Sequence, residues 1–356
     1  MAAPRDRGKE ALSSPRWVER WWGGELGGRG VMLDLLFLPA ELLFRGVVRL
    51  RNFSYDHGWL HTHRAAVPVI SVGNLAVGGS GKTPVARWLI AELLGRGERP
   101  ALLHGGYAAD EPELHRRWNP TIPVVVGRDR VVSAGTAQAA GATVLVLDDG
   151  FQHRRLARDL DLVLVAAEGW TPRPRLLPRG PWRESPAALV RADAVIVTRK
   201  TAPADQAETI ARELERIAPD KVVAQVWLSP AGWSRGPNAT DAGGDRAETG
   251  PRGAVLAVTA IARPELFVAN ARAAGADVSS TLFFPDHHDF GDADLERIRG
   301  LARGRPIVTT AKDMVKLAAL DPALDLWVLE QRVIVERGGD ALNELLDRIS
   351  GRGVAR

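Results

Sequence analysis

A glycine-rich segment between an apolar β-type run and a helical pattern constrains this chain most. The run at residues 69–72 leads into the segment, and the helical pattern follows it. The segment consists of Gly78, Gly79, Ser80, Gly81, Lys82, Thr83 and Pro84. A strand, a glycine-rich turn ending in Gly-Lys-Thr and a helix are typical of a phosphate-binding loop. Its backbone N–H groups and the positive end of the helix dipole attract phosphate oxygens.

Two side chains of this loop have separate expected roles. Lys82 would reach the β- and γ-phosphates of a nucleoside triphosphate, and the Thr83 hydroxyl would bind Mg²⁺. Ala76 stands where the strict pattern has its first glycine, so the motif departs from it at one position. A glycine turn without a ligand is the alternative, which the flanking strand and helix disfavour.

A second apolar run, residues 143–147, ends in Asp148 and Asp149, followed by Gly150. An acid at the end of a strand beside a phosphate loop holds Mg²⁺. We therefore predict Thr83, Asp148 and Asp149 as metal-site residues, with one carboxylate free to serve a neighbour. A structural turn is the alternative for the two acids. The chain has no Asn-Lys-x-Asp motif, which argues against a GTPase.

Composition excludes several classes of protein. The 356 residues contain no cysteine, which rules out a disulfide scaffold, a thiolate metal site and a cysteine nucleophile. The net charge is only +4, and no basic block is long enough for a nucleic-acid arm, so we expect no nucleic-acid partner. Nearly all basic residues are arginine, which makes the few lysines, such as Lys82, conspicuous. For Lys200, another of these lysines, the sequence predicts no role.

The most apolar part of the chain predicts a helix at a membrane surface. The predicted helix covers residues 31–52. The polar side chains of residues 31–50, with Asn52 just beyond them, fall on one narrow stripe at 100° per residue: Asp34, Glu41, Arg45, Arg49 and Asn52. Four charges are too many for a spanning helix, whereas an interfacial helix tolerates them. Residues 1–30 are expected to be a tail with a Trp/Arg cluster. A helix packed on the protein's own core is the alternative.

The remaining chain predicts an α/β fold, a P-loop NTPase parallel sheet with helices on both faces. Short β-branched runs alternate with helical patterns through residues 53–228, the predicted kinase domain. Residues 229–253 are rich in Gly, Pro and polar residues and are expected to be a loop or linker. A shorter alternation over residues 254–356 predicts a smaller C-terminal α/β lobe.

Together these motifs resemble the tetraacyldisaccharide 4′-kinases, the membrane-associated lipid A kinases of Gram-negative bacteria. The resemblance covers about residues 31–335 in order and includes the Ala76 position. Beyond the loop, it rests on Asp110-Glu111-Pro112, Asp129-Arg130, Asp148-Asp149-Gly150-Phe151-Gln152-His153, Arg158-Asp159-Leu160-Asp161, the stretch from Leu176 to Glu184, Phe284-Pro285-Asp286-His287-His288 and Thr310-Ala311-Lys312-Asp313.

The resemblance implies a phosphotransferase that uses ATP and Mg²⁺. Its acceptor would be the 4′-hydroxyl of a tetraacyl glucosamine disaccharide 1-phosphate, and its product lipid IVA. It implies a peripheral location on the cytoplasmic face of the inner membrane. Asp110 and His287 would prepare the attacking hydroxyl, with Lys82 as the third catalytic residue. Possible substrate contacts are Glu111, Gln152, His153 and Arg183. Closure of the two lobes would assemble the site.

Two departures from the family pattern leave alternatives open. The family usually has Ser-Arg-Gly-Tyr-Gly here, followed by an insertion. This chain has His104-Gly105-Gly106-Tyr107-Ala108-Ala109 and goes directly into Asp110, with Gly105 in place of the family's arginine. Arg179 replaces the usual alanine and is expected to be a solvated surface arginine. The alternatives are a P-loop kinase for another amphiphilic acceptor and a membrane-docked ATP-driven switch. For His287, the alternative is a helix-capping loop.

Overall fold

One sheet of eleven strands runs through the part of the chain that the structure describes. This computed structural model describes residues 16–106, 110–236, 250–261, 263–286 and 288–351. The strands are β1 (Val69–Asn74), β2 (Pro100–His104), β3 (Val124–Val126), β4 (Val144–Asp148), β5 (Leu160–Ala166), β6 (Ala194–Arg199), β7 (Val222–Arg235), β8 (Ala254–Thr259), β9 (Asp277–Phe283), β10 (Ile307–Thr309) and β11 (Leu326–Arg337). Their spatial order is β3-β2-β4-β1-β5-β6-β7-β11-β10-β8-β9.

Helices cover both faces of this sheet. They are α1 (Arg16–Trp22), α2 (Gly27–Asp56), α3 (Lys82–Gly95), α4 (Asp110–Trp118), α5 (Arg130–Ala139), α6 (Ala204–Ile217), α7 (Pro264–Ala273), α8 (Asp292–Ala302), α9 (Ala311–Leu320) and α10 (Gly339–Ile349). Two short 3₁₀ helices lie between β5 and β6.

The first seven strands in spatial order are parallel, because β-branched and Leu-rich runs bury both of their faces. Alternate residues of one strand enter opposite cores, since successive side chains point to opposite faces. Ile70 packs with helices α3 and α10, whereas Val69 packs with α5. Pairing of β1 with β4 places Val72 beside Asp148, at the carboxyl ends of the strands. The predicted class, a P-loop parallel sheet with helices on both faces, is confirmed.

The long antiparallel pair β7–β11 joins the two halves of the sheet. Residues 229–235, predicted as part of a linker, belong to β7, so that prediction is wrong for them. Gly and Pro hid the strand, and Pro230 lies at a register shift, where its missing N–H is tolerated. The Trp233 side chain is buried and anchors the strand. Residues 237–249 lie outside the described part of the chain.

The C-terminal helix packs on the first half of the chain. Leu342 and Leu346 of α10 share a core with Ile70 and with α3. Arg96 after α3 donates to the Asp347 carboxylate at 2.9 Å. The predicted lobe of residues 254–356 therefore ends with an element that stabilises the nucleotide-binding half.

The N-terminal helices differ from the predicted tail and helix. Within the predicted tail, residues 16–22 form α1. Residues 27–30 are also helical, because α2 begins four residues earlier than predicted. The indole of Trp21 is buried and donates to Asp34 at 3.1 Å, which fixes α1 against α2. Among the described helices, none is long and apolar enough to cross a membrane.

Most of the polar stripe of α2 faces the protein, whereas Arg49 is exposed. Glu41 is only 2% exposed and accepts from the Leu176 N–H at 3.0 Å. Arg45 and Arg179 both pair with it, at 2.9 and 3.0 Å. Arg179 is therefore an ion-paired anchor, and the expectation of a solvated surface arginine is wrong. A buried carboxylate needs compensating charge, and part of that charge comes from Arg179, which the local sequence around Glu41 could not reveal.

Shortening Leu346 tests whether α10 is part of the nucleotide-binding core. Leu346→Ala should lower the free energy of unfolding by about 2–5 kcal/mol, because a fully buried leucine leaves a cavity. The matched control Leu320→Ala removes a partly exposed leucine from α9 and should cost less than about 1 kcal/mol. Denaturant unfolding monitored by tryptophan fluorescence measures both. Equally small losses of unfolding free energy in the two variants would show that α10 is not part of the nucleotide-binding core.

Candidate active site

The phosphate loop connects β1 to α3 and depends on glycine at two turns. Gly78 and Gly81 have φ values of +107° and +84°, in the left-handed region that favours glycine. A Cβ on Gly81 would also lie 2.4 Å from the Leu228 side chain. Because α3 begins at Lys82, the first turn of this helix points its N–H groups toward the loop.

Lys82, Asp149 and Arg183 form a charged triad beside the loop. The Asp149 carboxylate lies 3.5 Å from Lys82 Nζ and accepts from Arg183 Nη1 at 3.0 and 2.9 Å. Burial raises the pKa of Asp149, but the charges of Lys82 and Arg183 outweigh it and lower the pKa. The backbone N–H of Arg183 donates to the carbonyl of Leu75 at 2.7 Å, which ties the triad to the residue that follows β1.

Asp148 points away from Asp149 and is held by a buried histidine. Asp148 and His115 are 2% and 0% exposed, and His115 Nε2 donates to Asp148 Oδ2 at 3.2 Å. Sequence reasoning missed His115, because α4 reads as a charged segment and the contact spans thirty-three positions. The two adjacent acids thus have different partners.

The acidic start of α4 faces two lysines of α9. Lys316 Nζ lies 3.4 Å from Asp110 Oδ2, and Lys312 Nζ lies 3.7 Å from the same atom. Lys312 also donates to Glu111 Oε1 at 3.0 Å. Both lysines lie on one face of α9, since they are four positions apart. Asp110 is 3% exposed, so charges of opposite sign from the two halves compensate each other in a buried position.

His104 fixes the orientation of the Glu111 carboxylate. The Gly106 N–H donates to His104 Nδ1 at 3.0 Å, so the other nitrogen carries the proton. Nε2 therefore donates to Glu111 Oε2, which lies 3.1 Å away. Burial raises the pKa of Glu111, but the hydrogen bond from His104 and the charge of Lys312 lower it well below its usual range.

The donor atoms at this position suit a hard divalent cation. Ligand atoms of His104, Glu111 and Asp148 lie within 4.8 Å of one another. Since His104 Nε2 is protonated, the atoms able to hold a metal are carboxylate oxygens, which Mg²⁺ prefers. Thr83, at the start of α3, adds a hydroxyl to the same cleft. These residues therefore fit the predicted Mg²⁺ site.

Gln152 connects the loop with α2. Its amide donates to the Asn74 carbonyl at 2.9 Å and to Glu184 at 3.2 Å. Glu184 in turn accepts from Asn52 of α2 at 2.7 Å.

Burial and the charge of Arg130 lower the pKa of His153 to about 4, so its ring is neutral at pH 7.

An open cleft of about 1980 Å³ collects most of the predicted site residues. It is lined by Gly78, Gly79, Ser80, Gly81, Lys82, Thr83, Pro84, Glu111 and Arg183. Lys312 and Asp286 line it from the second half of the chain. The lining does not include Asp110, Asp148, Asp149, Gln152 or His153. His287 lies outside the described residues. Sequence reasoning did not identify His104 as a site residue, although its position in the altered family motif could have indicated that role.

Known proteins are similar to this chain in sequence and in fold. A family model described as tetraacyldisaccharide-1-P 4′-kinase matches residues 33–350. The tetraacyldisaccharide 4′-kinase of Anaeromyxobacter sp. (strain Fw109-5) is 41% identical, covering 94% of this chain and 97% of its own. That of Anaeromyxobacter dehalogenans (strain 2CP-C) is 38% identical, with 92% and 93% covered.

A solved structure agrees with these sequences. LpxK from Aquifex aeolicus in complex with ATP is 28% identical and has a TM-score of 0.71. The match covers 89% of this chain and 99% of that one. The family model spans far more than half of the chain and includes both halves of the sheet. This chain therefore belongs to the tetraacyldisaccharide-1-P 4′-kinase family.

Proposed function

We propose that this protein transfers the γ-phosphate of ATP to the 4′-hydroxyl of a tetraacyl glucosamine disaccharide 1-phosphate, which yields lipid IVA. Family membership supports this activity. The observation that carries it is the position of the Asp110–Glu111 pair beside Lys312, next to the phosphate loop. A cleft that combines a phosphate loop, a metal-compatible pair of carboxylates and a buried acid provides the parts that phosphoryl transfer requires.

The phosphate loop binds the triphosphate, and Lys82 contacts its β- and γ-phosphates. Asp149 orients Lys82 together with Arg183, and it is therefore a positioning residue rather than the main metal ligand. Thr83, Asp148 and Glu111 would hold Mg²⁺, and the bound ion would offset the negative charge of the phosphates. These positive groups act on charge that develops as the phosphoryl group moves, in a site that is already organised.

The acceptor hydroxyl is activated by Asp110 together with His287. In the transfer the hydroxyl oxygen bonds to the γ-phosphorus, and the bond from that phosphorus to the β,γ-bridging oxygen breaks. The hydroxyl proton passes to His287, whose imidazole the Asp110 carboxylate orients, and ADP leaves. Lys312 and Lys316 keep Asp110 in place across the two halves.

The acceptor reaches the cleft from a membrane surface on which α2 lies. The face of α2 opposite its polar stripe exposes Val31, Met32, Leu35, Leu36, Leu42, Leu43, Val47, Leu50 and Phe53. A helix of 30 residues is about 45 Å long, so this apolar face is far larger than an incidental surface patch. Trp17 and Trp59, 50% and 69% exposed, lie near the two ends of this face, as expected at a lipid interface.

The proposed location is the cytoplasmic side of the inner membrane, where ATP is available. Asn52, Glu184 and Gln152 connect the inward side of α2 to the phosphate loop. A disaccharide whose acyl chains remain in the bilayer could thus present its sugar to the cleft. This arrangement explains why a kinase would expose so much apolar side-chain surface.

Removal of any of three side chains should strongly reduce phosphoryl transfer. Lys82→Ala removes phosphate charge compensation, and Asp110→Ala and His287→Ala remove hydroxyl activation; each should lower kcat/KM by about 10²–10⁴-fold. Transfer of labelled phosphate from ATP to the tetraacyl disaccharide measures this. The control Lys221→Met, at a lysine outside the cleft, should retain full activity. Near-normal turnover in all three variants would overturn the mechanism.

Charge on the exposed face of α2 should weaken membrane binding. Leu35→Asp combined with Leu43→Asp removes two highly exposed leucines, each contributing about 1.5–3 kcal/mol when buried in lipid. Binding to vesicles of zwitterionic and anionic phospholipid should fall more than about tenfold, while ATP affinity stays the same. Leu301→Asp on α8 is the matched control and should bind normally. Unchanged vesicle binding by the double variant would exclude α2 as the membrane contact.

A further inference from the structure

Two side chains at the carboxyl end of β6 hold consecutive carbonyls of the phosphate loop. Lys200 Nζ donates to the Gly79 carbonyl at 2.8 Å, and Thr198 Oγ1 donates to the Ser80 carbonyl at 2.9 Å. On the β1 side, the Asn74 amide donates to the Ser80 hydroxyl at 2.8 Å. The loop is therefore tied to two strands by side-chain bonds.

We propose that Lys200 and Thr198 are positioning residues for ATP, which fix the peptide planes of the loop in the conformation that binds phosphate. The proposal rests on the use of ATP by this site and not on the identity of the acceptor. In a planar trans peptide the carbonyl and the N–H point in opposite directions. Tying the Ser80 carbonyl to Thr198 therefore turns the Gly81 N–H to the opposite side of the loop.

The start of the Lys200 side chain is itself rigidly placed. Glu168 Oε1 accepts from the N–H groups of Lys200, Thr201 and Ala202 at 2.6, 3.0 and 3.2 Å. These bonds hold the backbone that leaves β6, so the ammonium reaches Gly79 from a fixed origin. The end of β6 thus provides both the backbone that Glu168 holds and the ammonium that donates to the Gly79 carbonyl.

Glycine at position 79 leaves room for this contact. A Cβ there would lie 3.2 Å from Lys200 Nζ, closer than carbon and nitrogen normally approach. Gly79 therefore gives the ammonium close access to the loop carbonyl. Lys82 and Lys200 have different roles: the first is directed at phosphate and carboxylate charge, whereas the second is bound to a loop carbonyl.

The tether and a direct phosphate contact predict different nucleotide affinities. The loop N–H groups bind the β-phosphate, which ATP and ADP share, so loss of the tether should weaken both nucleotides equally. A direct contact of Lys200 with the γ-phosphate would weaken ATP far more than ADP. Comparing the two nucleotides therefore separates the explanations without any acceptor.

Lys200→Met, which keeps the apolar stem and removes the ammonium, is the main test variant. Dissociation constants for ATP and ADP with Mg²⁺ are measured by competition with a fluorescent ATP analogue. Both should rise by about tenfold or more, as expected for loss of a charged hydrogen bond. Thr198→Val should raise both by about threefold to tenfold. Lys200→Arg, which can still donate, should restore most of the affinity.

The kinetic pattern and a control complete the test. In Lys200→Met the KM for ATP should rise more than kcat falls, and Lys221→Met should behave as wild type in every measurement. A selective loss of ATP affinity, or unchanged affinity for both nucleotides in a folded Lys200→Met, would overturn the proposal. If Lys200→Met does not fold, Thr198→Val and Lys200→Arg decide in the same way. Because no acceptor is present, failure here is distinct from failure of the lipid-kinase proposal.

Discussion

The pairing of buried acids on α4 with lysines on α9 is the interaction on which the site depends. A buried carboxylate is costly unless cations or hydrogen bonds compensate it. Asp110 and Glu111 are compensated by Lys312 and Lys316, which lie about 200 positions later in the chain. The two halves of the sheet must therefore be together before the acids can occupy the cleft. The antiparallel pair β7–β11 and the packing of α10 on the first half keep them together.

The second constraint is the inverted amphipathic character of α2. Asp34, Glu41 and Asn52, which would face solvent in an ordinary surface helix, are bonded to protein groups instead. Many of its apolar side chains consequently remain exposed. Hydrogen bonds from Asn52 through Glu184 and Gln152 then connect the inward side of this helix to Asn74, whose amide bonds to Ser80 of the phosphate loop. A single helix thus relates the proposed lipid surface to the nucleotide site.

Local sequence predicted the parts of this protein that depend on local physics. The phosphate loop, the strand that ends at Asp148 and the parallel alternation follow from glycine placement and apolar runs, and the structure contains them. The extension of β7 through Pro230 was missed because a strand partner far along the chain overrides composition. His115 and Arg179 act through partners distant in sequence, so no pattern in their own segments identified them. His104 bonds to Gly106 and Glu111, which are close in sequence, but only the folded turn shows that their bonds converge on its ring. Lys200 was invisible for the same reason, since its partner is a backbone carbonyl.

The most direct test of the central claim is the position of the phosphate on the product. Wild-type protein is incubated with ATP, Mg²⁺ and the tetraacyl disaccharide 1-phosphate in phospholipid vesicles, and the lipid is analysed by phosphorus NMR. The account predicts a second phosphate monoester on the 4′ carbon, with one ADP formed for each. Formation of ADP and inorganic phosphate while the lipid stays unchanged would contradict it.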